Sequence, residues 1–193
     1  MKANINDIMF PVMEIPAIGV MPKKKKTDSY DTQERKDTGY KFIVREDTGD
    51  VLSCMTDNYK LINNSTILEK SDNIISKEGG NLKEVQTFGN GARSIVKYEF
   101  DKHKITISNG DICTPEIVWS NSYDGTVGLN IIAGAFRLVC TNGLVIGVVA
   151  DKYKNKHIIQ NMDLQDIEGV IEETIKKTKR IMKDEFPVIH GTK

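Results

Sequence analysis

An α+β fold is what this sequence predicts: an antiparallel, twisted sheet of about seven to nine strands with two main helices packed on it and a proline-broken N-terminal arm. Three observations carry that expectation. From Tyr40 onward, short apolar runs alternate with turn signals rich in Gly, Asn and Asp. Two longer stretches, at 64–78 and 163–186, repeat their apolar residues with the helical period. The connections between the apolar runs are too short for the crossovers that parallel strands require. A chain of 193 residues supports one core of ordinary size, so the expected organisation is an arm over 1–38, a single domain over 39–186 and a tail over 187–193.

The arm is set apart by composition. Pro11, Pro16 and Pro22 are three of the 5 prolines, and Lys23 to Lys26 are four adjacent like charges. Proline removes backbone donors and the ammonium groups repel one another, so regular structure is not expected there. Its apolar residues Ile8, Met9, Phe10, Val12 and Ile15 are suited to docking on the domain or on a neighbouring subunit.

The domain opens with a hairpin, KFIVR and VLSCM around Asp47-Thr48-Gly49-Asp50, in which Gly49 supplies the positive φ of a tight turn. Thr66-Ile67-Leu68-Glu69 has the spacing of a capping box. Ile67, Leu68, Ile74 and Ile75 form one helical face, and Gly79-Gly80 ends that helix. A second hairpin pairs LKEVQTF with ARSIVKYEF around Gly89-Asn90-Gly91. KITIS, the Asn109-Gly110 turn, EIVW, the loop SNSYDGT, TVGLNII, FRLVC, the Asn142-Gly143 turn and LVIGVV continue the antiparallel pattern. Asp163 and Asp166 then open a helix whose apolar face is Leu164, Ile167, Ile171, Ile175, Thr178 and Met182, ending before Pro187. The pairs Glu172/Lys176 and Glu173/Lys177 support its solvated side by about 0.2–0.5 kcal/mol each.

Composition narrows the function classes. Twenty-seven basic residues balance 27 acidic ones, so attraction to a polyanion must come from a local patch. Cys54, Cys113 and Cys140 are odd in number and widely spaced, which points to reduced thiols in small buried strand positions and a cytoplasmic setting, and away from a disulfide framework or zinc site. The early apolar stretch IMFPVMEIPAIGVM is interrupted by Pro11, Glu14 and Pro16 and reads as neither a signal peptide nor a membrane span. No phosphate-binding glycine loop, nucleophile elbow or H-E-x-x-H is present, and His103, His157 and His190 are far apart. Glu46, Asp47 and Asp50 read as turn formers ahead of a cation site. The expectation is a protein without catalytic residues, cofactor or metal.

The strand ARSIVKYEF is the most suggestive physical feature. Alternation places Val96, Tyr98 and Phe100 on one face and Arg93, Ile95, Lys97 and Glu99 on the other. With Lys102 and Lys104 following, the second face reads as wet and partly basic. A sheet groove of this kind binds single-stranded nucleic acid: Arg93, Lys97, Lys102, Lys104 and Arg137 would contact phosphates while Tyr98 or Tyr123 stacks on bases. In SNSYDGT, Asn121, Ser122, Asp124 and Gly125 all favour turns. Arg137, in an otherwise apolar strand, calls for an acceptor, either Asp124 or a phosphate.

VREDTGDVLSCMTDNYKLINN, SNSYDGT and FRLVCTNGL together resemble the marks of domain-of-unknown-function family 932, phage/plasmid-like proteins of mobile elements. The likeness runs from about Lys41 to Val148. The family's recurrent positions correspond to Arg45, Glu46, Thr48, Gly49, Tyr59, Asn121, Ser122, Asp124, Gly125, Arg137, Cys140 and Asn142. Where the family often has His after the loop serine, this chain has Tyr123, which removes a general base there. The resemblance implies a mobile-element context and no particular activity.

The function expected from these readings is binding of single-stranded DNA in recombination or replication of a mobile element, by a homo-oligomer similar to phage annealing proteins. The alternative is a counter-defence interaction protein that masks a host protein or sequesters a nucleotide signal. A metal-dependent nuclease using Glu46, Asp47 or Asp124 ranks third. No membrane partner is expected.

Overall fold

The computed structural model describes residues 4–24, 30–106, 112–138, 145–155 and 166–180. In chain order the strands are β1 (Val12–Lys24), β2 (Tyr30–Arg45), β3 (Val51–Thr56), β4 (Asn81–Phe88), β5 (Arg93–Glu99), β6 (Ile105–Thr106), β7 (Ile112–Ser122), β8 (Leu129–Leu138) and β9 (Val145–Asn155); the helices are α1 (Asn64–Lys77) and α2 (Asp166–Arg180). The α+β class and the antiparallel pairing are as the sequence predicts. The single sheet is not: the strands form a three-stranded sheet, β1-β2-β3, and a six-stranded sheet, β4-β5-β7-β8-β9 with β6 on β7. Turn signals specify hairpins locally, but which hairpins join edge to edge depends on how their apolar faces pack.

The arm is also corrected. Residues 12–24 and 30–38 lie in regular strands, β1 paired with β2 from Val12↔Arg45 to Lys24↔Tyr30. Pro16 and Pro22 are tolerated because β1 is the edge of its sheet, where a missing N–H faces outward and costs no ladder bond. The pairing of β2 with β3 ends at Tyr40↔Thr56, so beyond that point β1 and β2 continue as a two-stranded ribbon.

The main core lies between the six-stranded sheet and the two helices. Val96, Tyr98, Ile117, Trp119 and Ile131 from β5, β7 and β8 meet Ile67, Leu68 and Ile75 of α1 and Ile171 and Ile175 of α2. Each such aliphatic side chain contributes roughly 1.5–3 kcal/mol on burial. The periodic face predicted for α1 is therefore the packed one, as are Ile171, Ile175 and Thr178 of the face predicted for α2. Helix α1 starts one turn earlier than the Thr66–Glu69 spacing suggests: Asn63 is its N-cap, without a side-chain cap bond, and Thr66 lies inside the helix. It stops where predicted, with Gly79 at φ +84°. For the second helix, 163–165 and 181–186 lie outside the described residues, as do the Asn109-Gly110 and Asn142-Gly143 turns.

A smaller core of Phe10, Val12, Ile43, Tyr59 and Tyr123 sits under the three-stranded sheet. The N-terminal residues join the two cores. A short 3-10 turn, Ile5–Ile8, is fastened by a capping box between Asn4 and Asp7. Ile8 then enters the main core, while Phe10 and Val12 enter the smaller one.

Candidate functional site

The loop SNSYDGT is a joint between the two sheets. Asp124 Oδ1 accepts the Thr126 N–H at 2.9 Å and Gly125 has φ +69°, the Asx turn that the residue types favour. Ser122 Oγ accepts the Val127 N–H at 3.0 Å and donates to the Val127 carbonyl. From β3 of the smaller sheet, Ser53 Oγ donates to the Tyr123 carbonyl at 2.5 Å, and the hydroxyl of Tyr59, just past β3, donates to the Ser122 carbonyl at 2.9 Å. The Tyr123 hydroxyl accepts the Asn64 N–H at 2.9 Å, satisfying a donor that the first turn of α1 leaves free. Asn121 Nδ2 donates to the Ile62 carbonyl and to Asn64 Oδ1, at 3.0 and 2.9 Å. Asn64 Nδ2 donates in turn to the Ile8 carbonyl and to Ser94 Oγ. Apart from the exposed Asp124–Thr126 bond, these groups are half-buried or buried and tie the loop to both sheets and to α1, while Asn121 Oδ1 is buried without a hydrogen-bond partner.

A second joint holds the two hairpin turns together. Arg45 donates to both carboxylate oxygens of Asp47, at 2.9 and 2.6 Å, and to the Asn90 carbonyl at 3.0 Å. Asn90 Nδ2 donates to Asp50 Oδ2 at 2.7 Å. Hydrogen bonding from Arg45 holds the Asp47 carboxyl below the usual carboxylate range, and bonds from Thr48 and Asn90 do the same for Asp50. The acidic turn is thus occupied by its own arginine and asparagine, and among the described residues no cluster of His, Cys, Asp and Glu is arranged to hold a metal ion.

The proposed nucleic-acid residues are placed differently from the sequence expectation. Tyr98 and Tyr123 are each 1% exposed, in the main and the smaller core, and present no ring to a base. Tyr98 falls where alternation put it, on the packed face of β5; Tyr123 is drawn in by its bond to α1. Arg93, Ile95, Lys97 and Glu99 do occupy the other face. The cations there are matched by carboxylates: Lys97 meets Glu116 at 2.9 Å, Lys83 meets Glu99 at 2.9 Å, and Arg93 approaches Asp124 at 3.8 Å. Lys104 pairs with Asp101 at 2.6 Å, on the short turn after β5. Lys102 is exposed on that same turn. Asp124, offered above as the partner of Arg137, has Arg93 as its cation. Arg137 pairs with Ile146 across β8 and β9, and its side chain, like Cys140 and Asn142, lies outside the described residues. Glu116 and Asp124 arrive from β7 and from the loop, distant in sequence from the cations they meet, whereas Glu99 and Asp101 lie on or next to β5 itself. What this face leaves open is Phe88, with the Arg93 guanidinium carbon 5.7 Å from its ring centre.

A cleft of about 330 Å3 lies between the helices, lined by Ile74 and Ile175, by Lys77, Lys176 and Lys179, and by the carboxylates of Glu78 and Glu172. Lys179 donates to Glu78 across it. Its lysines stand at or near the last turns of α1 and α2, where the backbone carbonyls favour positive charge.

Among the described residues, a group of exposed apolar side chains lies on the outer face of the three-stranded sheet, which the sequence reading did not single out. The inner side of that sheet carries Val12, Ile43, Ser53 and Met55 against the smaller core and the loop. Strand alternation turns Met13, Ile15, Tyr40, Phe42 and Val44 the other way. Ile15 pairs with Phe42 and Phe42 with Cys54, making one row across three strands. All of these except Val44 are exposed, together with Val51 at the head of β3. Cys54 is therefore an exposed thiol, a correction to the buried one expected; Cys113 is buried. On the ribbon beyond, Ile18, Val20 and Met21 are also exposed, Met21 on the side of Ile15 and the other two on the opposite side.

Among the described residues no helix is long and apolar enough to cross a membrane. A family described as Domain of unknown function (DUF932) matches residues 51–185. That span covers β3 through α2 and includes the corner loop; it begins after Arg45 and the acidic turn and runs past Val148, later at both ends than the 41–148 expected. No solved structure matches the chain.

Proposed function

The chain belongs to the DUF932 family, and from that premise we propose that it is a non-enzymatic interaction protein of a mobile element, acting against a host defence by covering a protein surface. The observation that carries this reading is the outer face of the three-stranded sheet. Ile15, Phe42 and Val51 stand exposed there on a rigid scaffold, and contiguous apolar surface of that extent marks protein recognition sites. Charge supports the same reading, since a chain with 27 basic and 27 acidic residues has no general attraction for polyanions. The test compares tagged wild type with Phe42→Glu in capture from host lysate. One stoichiometric partner, lost in the variant, is the expected result; equal capture by both would end the proposal.

One observation keeps single-stranded DNA as a second reading. Phe88 and Arg93 form an open aromatic–guanidinium pair on the outer face of the six-stranded sheet, a combination that stacks a base and contacts its phosphate. The paired lysines around them argue against a strong electrostatic groove. Anisotropy of a labelled oligonucleotide over a salt series tests it: binding that weakens with salt and is lost in Phe88→Ala favours this reading, and no binding at low salt removes it.

A further inference from the structure

We propose that the free edge of β3 receives an extended segment of the partner protein, which adds to the three-stranded sheet as a fourth strand. This rests on the reading of that sheet as the interaction surface and specifies how the partner is held.

The register of β3 fixes which of its backbone groups are free. Asp57 N–H donates to the Gly39 carbonyl at 3.1 Å, one step beyond the Tyr40↔Thr56 pair. Hydrogen-bonded pairs recur at every second residue of an antiparallel ladder, so Lys41/Met55 and Ile43/Ser53 carry the bonds between β2 and β3. The N–H and C=O of Cys54 and the N–H of Thr56 therefore point away from β2, toward the edge. The Thr56 carbonyl accepts the Tyr59 N–H. Among the described residues β3 pairs with β2 alone, and no backbone bond runs from these outward groups of Cys54 and Thr56 to another segment.

The strands at the other ends of the two sheets are protected against such pairing. Pro16 and Pro22 interrupt the donors of β1, β4 carries Lys83 and Glu84 at a register shift, and β9 carries Asp151, Lys152 and Lys154. Proline, charge and irregular pairing all deter strand addition. β3, with the sequence VLSCMT, has neither charge nor proline. Its register shift lies between Val51 and Ser53, ahead of the regular stretch that reaches Thr56.

An extended backbone is the ligand that matches a row of alternating N–H and C=O groups. Cys54 stands beside Phe42, and Phe42 beside Ile15, on the outer face. Every second residue of the incoming strand continues that apolar row, while the residues between turn to the other side. Asp50 and Asp57 bracket β3 and are exposed, so a basic residue just outside either end of the segment meets a carboxylate. The segment recognised is about as long as β3, apolar at alternate positions, uncharged in its middle and basic at an end. It leaves the outer face itself open for the rest of the partner.

A library of random ten-residue peptides, panned on the full chain, provides the probe. Enriched sequences with apolar residues two apart and no proline between them are expected. For the leading peptide, made synthetically, the dissociation constant should rise at least about tenfold in Cys54→Pro and stay within about twofold in Cys54→Val, which keeps the N–H. Because the Cys54 N–H takes no part in the ladder to β2, proline at this edge position leaves the sheet intact, and circular dichroism checks that it does. Amide exchange of the unmutated protein gives a readout independent of any substitution: bound peptide slows exchange at Cys54 and Thr56 several-fold. No enriched peptide, equal binding to folded Cys54→Pro, or unchanged exchange at both amides overturns the proposal. Dimerisation of the chain alone, lost in Cys54→Pro, assigns the edge to a second copy and overturns it as well. If capture from host lysate depends on Phe42 and is indifferent to Cys54→Pro, the added strand falls and the interaction function stands. If capture is indifferent to both, both fall.

Discussion

The Arg45 guanidinium lies over the ring of Phe10, 3.7 Å from its centre. At the edge of the same contact, a Cβ built on Gly91 would stand 2.4 Å from Phe10 Cζ and 3.3 Å from Arg45 Nη1. An N-terminal aromatic is thus enclosed by two hairpin turns, one from each sheet. Gly91 is glycine for two reasons: its φ of +95° and the closeness of that ring.

Gly91→Ala is expected to destabilise the protein by about 2–4 kcal/mol, combining backbone strain with displacement of Phe10. Gly49→Ala, at φ +75° with nothing within 4 Å, incurs only the backbone part, about 1–2 kcal/mol. Urea unfolding of both variants measures the difference. In a Phe10→Ala background that difference should vanish.

Tyr123→Phe removes one hydroxyl and leaves the buried Asn64 N–H without its acceptor. A loss of about 1–3 kcal/mol follows. Asp124→Ala, at the next residue of the same loop but bonded to the exposed Thr126 and to a distant Arg93, should cost less than Tyr123→Phe. Parallel denaturant curves for the two variants check the order, which would reverse if the loop were a ligand site whose acid is braced by the fold.

Burial raises the carboxyl of Glu116 above its ordinary value, and Lys97 only partly opposes it. A carboxyl raised in the folded state favours the protonated fold, so its contribution is largest below the unfolded value and declines as pH rises through the interval up to the folded one. Against Glu116→Gln, whose side chain does not titrate, wild type should therefore gain relative stability as pH falls from neutral into the carboxyl range. Thermal unfolding of the pair at a series of pH values reads the sign.

Tyr98 and Tyr123 are pushed up to about 12 by burial, and Tyr59 higher still for the same first reason. The neutral phenols are favoured in the fold, so stability declines as pH rises above the unfolded value of about 10. Phenolate absorbance should show a late step coincident with unfolding, and Tyr123→Phe should shrink that step by one group. A step complete well below pH 12 in folded protein would contradict the burial of these rings.

Much of the fold was legible because it follows from local pattern. The alternation of ARSIVKYEF sorted Tyr98 from Lys97 correctly, and Gly79-Gly80 ended α1, since both depend on a few consecutive residues. The carboxylates facing Lys97 and Arg93 were not legible: Glu116 and Asp124 come from another strand and a loop. Nor was the strand character of the arm, because a proline forbids a central strand but permits an edge, and edge position is not a local property.

By itself the sequence determined the α+β class, the hairpin turns at 47–50 and 89–91, the packed face of α1 with Ile171, Ile175 and Thr178 of α2, and the family, all properties of short stretches read in order. Tertiary structure alone decided that the strands divide into two sheets, that the cations beside Tyr98 are neutralised, and that the open apolar face lies on the N-terminal hairpin. Side-chain periodicity fixes which residues share a side of a strand, whereas what covers that side depends on contacts between segments far apart along the chain.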